Sequence, residues 1–129
     1  MVSRSAEKAL TPTQEKELIK LLELKRLELV SRLKSRRPGA ASEQVPGDEA
    51  DQAADDAEVS METRLLDRDA KLLREVERAL EKVQDHTYGL CEGTDEPIGY
   101  ARLKLRPWTR YSVTYKEELE REEKRSGRE

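Results

Sequence analysis

Leucine repeats at helical spacing in two stretches of this chain, and a run of acidic residues separates them. The first stretch carries Leu18, Ile19, Leu22, Leu29, Val30 and Leu33, with further leucines at 21, 24 and 27. Thr11-Pro12-Thr13-Gln14 predicts where this helix starts. Thr11 can cap, Pro12 loses no hydrogen bond at the first helical position, and Gln14 stands where a capping box needs it. Pro38-Gly39 disfavours continuation, so the helix is expected to end near Ser35 to Arg37. That gives roughly 25 residues and about 37 Å of rod.

In the second stretch Val59, Leu66, Leu73 and Leu80 form a row at seven-residue spacing. Val76 and Val83 continue a second row whose earlier members are Glu62 and Asp69. Two such rows make a seam that a partner must cover. The nearest partner is the first helix, folded back; a second chain is the alternative, and the broken second row disfavours a long dimer. Gly89 is placed to stop this helix at its C-terminus. Trp108 and all four tyrosines, 88, 100, 111 and 115, lie between 88 and 115 and locate a small lobe. A last helix is expected from Ser112 to Lys124, with Glu117/Arg121 and Glu120/Lys124 as i,i+4 pairs. The expected fold is therefore mainly α. An antiparallel coiled-coil hairpin over 11–87 projects from a small globular lobe at 88–111, and 112–129 supply a C-terminal helix and a frayed tail. Residues 1–10 are expected to be disordered.

Composition fits a rod better than a thick core. Of 129 residues, 35% are hydrophobic, 41% charged and only 4% aromatic. A lone Cys91 excludes an internal disulfide and a closed thiolate metal site. With a polar Met1–Ser5 that lacks an apolar signal core, it points to the cytoplasm. No apolar run approaches the roughly 20 residues that cross a membrane. The net charge of −3 hides two basic clusters. Arg32, Lys34, Arg36 and Arg37 end the first helix, and every charge between Glu96 and Glu117 is positive. An acidic chain as a whole argues against direct nucleic-acid binding.

The acidic run is the candidate site. Glu43, Asp48, Glu49, Asp51, Asp55, Asp56 and Glu58 fall between Ser42 and Glu58 with no Lys or Arg. If the helices fold back, this acidic tip at 42–58 becomes the free end of the rod. A Mg²⁺ enzyme would need convergent ligands and a concave wall, and neither is legible. His86 sits near a helix end, where the dipole favours a cation. No serine has a base arrangement beside it. Catalysis is not expected.

Two motifs carry a resemblance. Residues 48–53 read D-x-x-D-x-A, and residues 88–107 read Y-G-x-C-E-x-x-x-x-x-I-G-x-x-R-L-x-x-R-P, with E-V-S-M-E-T-R-L-L-D-R-D-A-K-L-L between them. In this order and spacing the chain resembles the DksA/TraR family of bacterial transcription regulators over roughly residues 10 to 125. The resemblance implies a monomer that binds RNA polymerase and not DNA, its hairpin entering the secondary channel. Matching tip residues are Asp48, Asp51 and Ala53. It further implies guanosine tetraphosphate as co-regulator, held between factor and polymerase by Arg68, Leu72, Arg106 and Lys116. Glu75 stands where responsive members carry a base. Zinc-finger members place four cysteines where this chain has Cys91, Thr94, Ser112 and Tyr115. Zinc is therefore not expected, and Trp108 with the tyrosines is expected to take over its role. Three rivals remain: a coiled-coil adaptor or scaffold, a transcript-cleavage factor acting through the same channel, and a Mg²⁺-dependent enzyme.

Overall fold

The computed structural model describes residues 7–35 and 49–127, and the side chains of 49–51 lie outside that description. Among the described residues four helices follow one another: α1 Pro12–Ser35, α2 Glu49–Gln84, α3 Tyr100–Leu105 and α4 Val113–Ser126. No strand occurs among the described residues; Leu90 and Pro97 form one antiparallel bridge.

The capping box closes reciprocally at the start of α1. The Thr11 amide donates to Gln14 Oε1 at 3.1 Å, and the Gln14 amide donates to Thr11 Oγ1 at 3.2 Å. The helix then buries Leu18, Leu22 and Leu29 along one stripe. Leu24 and Leu27, on the opposite side, are more than half exposed.

Helix α2 runs antiparallel to α1. Arg32 pairs with Asp69 and Arg26 with Glu77, so numbers rise on one helix as they fall on the other. Leu22, Leu29, Val76 and Ala79 form the buried seam, with Leu72, Leu73 and Leu80 packed against it. These pairings place Ser35 level with about Asp67, so the first turns of α2 lie past the end of α1. Among the described residues of α2, Leu66 is the first that is buried.

Two boundaries differ from the sequence reading. Helix α2 begins at Glu49, so residues 49–58 of the acidic run are helical. The reason is local. Ala50, Ala53, Ala54 and Ala57 have the highest helix propensity, and carboxylates are favoured in a first turn. At the other end α2 stops at Gln84, ahead of Gly89. The Thr87 amide bonds to Lys82 O and the His86 amide to Val83 O, a Schellman cap with His86 in the left-handed region at φ 61°. Gly89, at φ 90°, serves the lobe instead: a Cβ there would stand 2.9 Å from Leu10 Cδ1.

The lobe is a short knuckle followed by α3. The Cys91 amide bonds to Glu96 O at 2.7 Å, and the Ile98 amide bonds to Gly89 O at 2.9 Å. Cys91, Ile98 and Leu103 form its core with Leu18 of α1, and Leu10 and all four tyrosines pack around them. Tyr88 belongs to this cluster and to the hairpin seam, and its hydroxyl donates to Pro107 O at 2.8 Å. Burial, with Glu15 nearby, pushes the Tyr88 hydroxyl well above the usual phenol range. That side chain ties rod to lobe. Helix α4 is capped by Ser112, whose Oγ accepts from the Tyr115 amide. No residue of α4 is buried. Neither Glu117/Arg121 nor Glu120/Lys124 closes an ion pair, as befits exposed pairs that add little stability.

Candidate functional site

Side chains at positions 91, 94, 112 and 115 converge in the lobe. Cys91 is fully buried. Burial pushes its thiol up, but hydrogen bonds from Thr94, from the Ser112 and Gly93 amides and from the Ser112 hydroxyl outweigh that and hold it below the usual thiol range. The Tyr115 ring lies directly on Gly93, where even one methyl group would collide with it. Tyr111 stacks beside it, ring centres 5.2 Å apart. Trp108 is not part of this group. Contrary to the expectation, it leaves the knuckle and packs on the seam formed by Leu22, Leu29, Val76 and Ala79. The reason is position: the Arg106–Trp108 turn follows α3 and faces the rod.

A second cluster was not anticipated. Glu92 accepts from Arg78 at 2.6 Å, from Lys82 at 2.7 Å and from Arg110 at 3.1 Å. Its amide also donates to Arg110 O at 2.9 Å. Burial raises the Glu92 carboxyl, but the three cations dominate and bring it down to about 2. One carboxylate thus joins α2, the knuckle and the loop before α4. A signal was visible: the run from 102 to 116 carries only positive charge, so it needs an acid from elsewhere.

Three depressions meet on the face between α2 and the lobe. One, of about 340 Å³, is bordered by Lys25, Arg32, Arg68, Asp69, Lys71, Leu72, Glu75, Arg106 and Trp108. Another, of about 210 Å³, is bordered by Glu75, Arg102, Arg106, Trp108 and Lys116. A third, of about 580 Å³, has Lys71, Arg74, Arg78 and Arg110 at its edge, together with the acids Glu75, Glu77 and Glu81. The structure therefore groups Arg68, Leu72 and Arg106 around one hollow and places Lys116 across Arg106 in the next. Lys25, Arg32 and Lys71 join them; sequence spacing concealed these, because two come from the facing helix.

Of the candidate tip residues, Asp48 lies outside the described residues, as do 42–47. Asp51 belongs to the first turn of α2, though its side chain lies outside the description, and Ala53 is exposed on the same helix. Among the described residues no three His, Cys, Asp or Glu side chains are grouped to hold a metal ion. No described helix is long and apolar enough to cross a membrane.

The fold is a helical hairpin set on a small knuckle, with several cationic side chains gathered at their junction. Comparison with known proteins makes it specific. Residues 86–121 match the family model for the prokaryotic dksA/traR C4-type zinc finger. The solved structure of transcription factor DksA2 from Pseudomonas aeruginosa is 35% identical, with a TM-score of 0.76 over 88% of each chain. This chain belongs to the DksA/TraR family. It is also 44% identical over 77 residues to the RNA polymerase-binding transcription factor DksA of Caulobacter vibrioides, covering 60% of this chain and 54% of that one. For the DksA of Escherichia coli strain K12 the identity is 43% over 60 residues, 46% and 40% of the two chains. The chain spans about half the length of the curated relatives it matches.

The family implies zinc, and the knuckle can be tested for it. A structural Zn²⁺ site takes four Cys or His ligands in a tetrahedron. One thiol, two hydroxyls and a phenol whose ring covers Gly93 do not supply them. These residues do not fit the metal.

Proposed function

We propose that this chain regulates transcription by binding RNA polymerase directly, as the names of its C. vibrioides and E. coli relatives state of those proteins. In this reading the hairpin enters the secondary channel and brings Asp48, Asp51 and Ala53 near the catalytic centre. Carboxylates delivered there bias the equilibrium among polymerase–promoter states through the field they exert on Mg²⁺ and on basic elements. How a promoter responds then depends on the stability of its open complex. One observation carries the reading: in a chain of this family, a long helical pair is anchored in a lobe at one end and begins its second helix in acid at the other.

Guanosine tetraphosphate is the proposed co-regulator. Arg68, Arg106 and Lys116 suit its phosphates and Leu72 its apolar surface, and their grouping along two adjoining hollows supports this. The factor acts as a cytoplasmic monomer, without enzymatic activity, direct DNA contact, membrane attachment or zinc.

The test is Asp51→Asn in a reconstituted transcription assay, paired with a pull-down of core polymerase and crosslinking from the hairpin end. Binding should persist while the effect on initiation disappears. Regulation that survives the change removes the tip as effector. Crosslinks confined to the helix flanks would favour the adaptor instead.

A further inference from the structure

Glu7 and Leu10 stand ahead of α1, outside every helix, yet both close on the lobe. Leu10 immediately precedes Thr11, the cap of α1. An apolar side chain at that place commonly packs on the fourth residue of the helix. Here that residue is Glu15, which offers no apolar partner. Leu10 turns to the knuckle instead and is partly buried against Leu18, Cys91, Ile98 and Leu103.

The knuckle is shaped to receive it. Gly89 and Gly99, with φ of 90° and 104°, both face the chain ahead of α1. A Cβ on Gly89 would press on Leu10, and one on Gly99 would collide with the Glu7 carboxylate. The Ile98 amide bonds to Gly89 O at 2.9 Å and so holds the two glycines on one side of the knuckle. Residues 7–10 therefore lie across bare backbone, and the Thr11–Gln14 capping box fixes the direction from which they arrive.

The lobe is thus tied from two sides. Tyr88 and the Glu92 cluster join it to α2; Leu10, Leu18 and the Tyr100–Glu17 hydrogen bond join it to the start of α1. The hairpin has a separate core in Leu22, Leu29, Val76 and Ala79, in which Leu10 takes no part. A core of four buried side chains is small, so one apolar cover weighs heavily on it, while the seam does not depend on that cover. We infer that residues 7–10 are a strap: it holds the lobe shut on the base of the rod, and its release opens the lobe as a unit while the hairpin stays folded. The strapped and open forms give a partner that grips the lobe two states to choose between.

Cys91 reports the opening, because it is the single cysteine of the chain and lies fully buried in the core under the strap. The experiment follows the rate at which an aromatic disulfide reagent labels Cys91 in the full chain under native conditions. Hydrogen exchange at Leu22, Leu29 and Val76 is measured in parallel. Leu10→Ala should speed labelling about tenfold or more and leave exchange in the seam unchanged. Leu10→Met, which keeps the apolar volume, should stay within about twofold of the unaltered chain. Leu24→Ala, on the exposed side of α1, should change neither rate. Labelling of Leu10→Ala at the unaltered rate, or of Leu10→Met as fast as Leu10→Ala, would show that this contact does not hold the lobe. Acceleration of the seam by the same factor, or an equal effect of Leu24→Ala, would make lobe and hairpin one cooperative unit and remove the strap.

Discussion

Arg32 reaches across the hairpin to Asp69, with Nη2 3.1 Å from Oδ1. Asp69 is 3% exposed and occupies a seam position of the row that Val76 continues. An acid at this place interrupts the hydrophobic row and simultaneously fixes which residue of α1 must stand opposite. The Arg32 Nε is itself buried without a partner, so the pair is only partly compensated. It sets register more than it adds stability.

Removing one member should therefore be worse than removing both. Arg32→Met strands a buried carboxylate and should cost about 2 kcal/mol, less than the roughly 3–5 kcal/mol of a fully buried pair because Arg32 is one-third exposed. Arg32→Met with Asp69→Leu should recover most of the loss. Urea titration followed by helical circular dichroism measures both. A double variant as weak as the single one would show that the pair contributes more than register.

The Glu92 cluster predicts an acid limit for the lobe. Its carboxyl falls from 4.5 to about 2 on folding, so the folded state favours the ionised form. The resulting stability is present in full above pH 4.5 and is lost as pH falls toward 2. It amounts to on the order of 3 kcal/mol. Glu92→Gln should lower the Tm at pH 7 and show a smaller further loss between pH 5 and pH 2.5 than the unaltered chain. Parallel curves for the two proteins would mean that Glu92 does not drive the acid response.

Gly93 should be intolerant of a side chain. A Cβ there overlaps the Tyr115 ring, which must then leave the knuckle. Gly93→Ala should cost about 1–3 kcal/mol. It should also speed hydrogen exchange through α4, because Tyr115 is that helix's main anchor. Unchanged exchange in α4 would place its anchorage elsewhere.

The knuckle should be indifferent to chelators. Elemental analysis of the purified chain should find zinc well below one equivalent, and excess chelator should leave the Tm unchanged. A chelator-dependent fall of several degrees would overturn the donor-set argument against the metal.

Local chemistry was legible along the chain wherever neighbours in sequence are neighbours in space. Thr11, Pro12 and Gln14 determined the start of α1, the seven-residue leucine spacing determined two helices with one seam, and the lone Cys91 among former ligand positions determined that no tetrahedral thiolate site is built. Helix C-caps were less legible, because His86 competes with Gly89 for the left-handed position and only the geometry of the chain beyond decides. Pairings across long separations were not legible at all. Arg32 with Asp69, Glu92 with its three cations, and Trp108 on the seam depend on which helix faces cross. Spacing within one segment carries no information on that. The tertiary structure decided it by packing the two leucine stripes face to face, which together with the Arg32–Asp69 pair fixes the register and brings the remaining polar side chains within reach of partners far off in sequence.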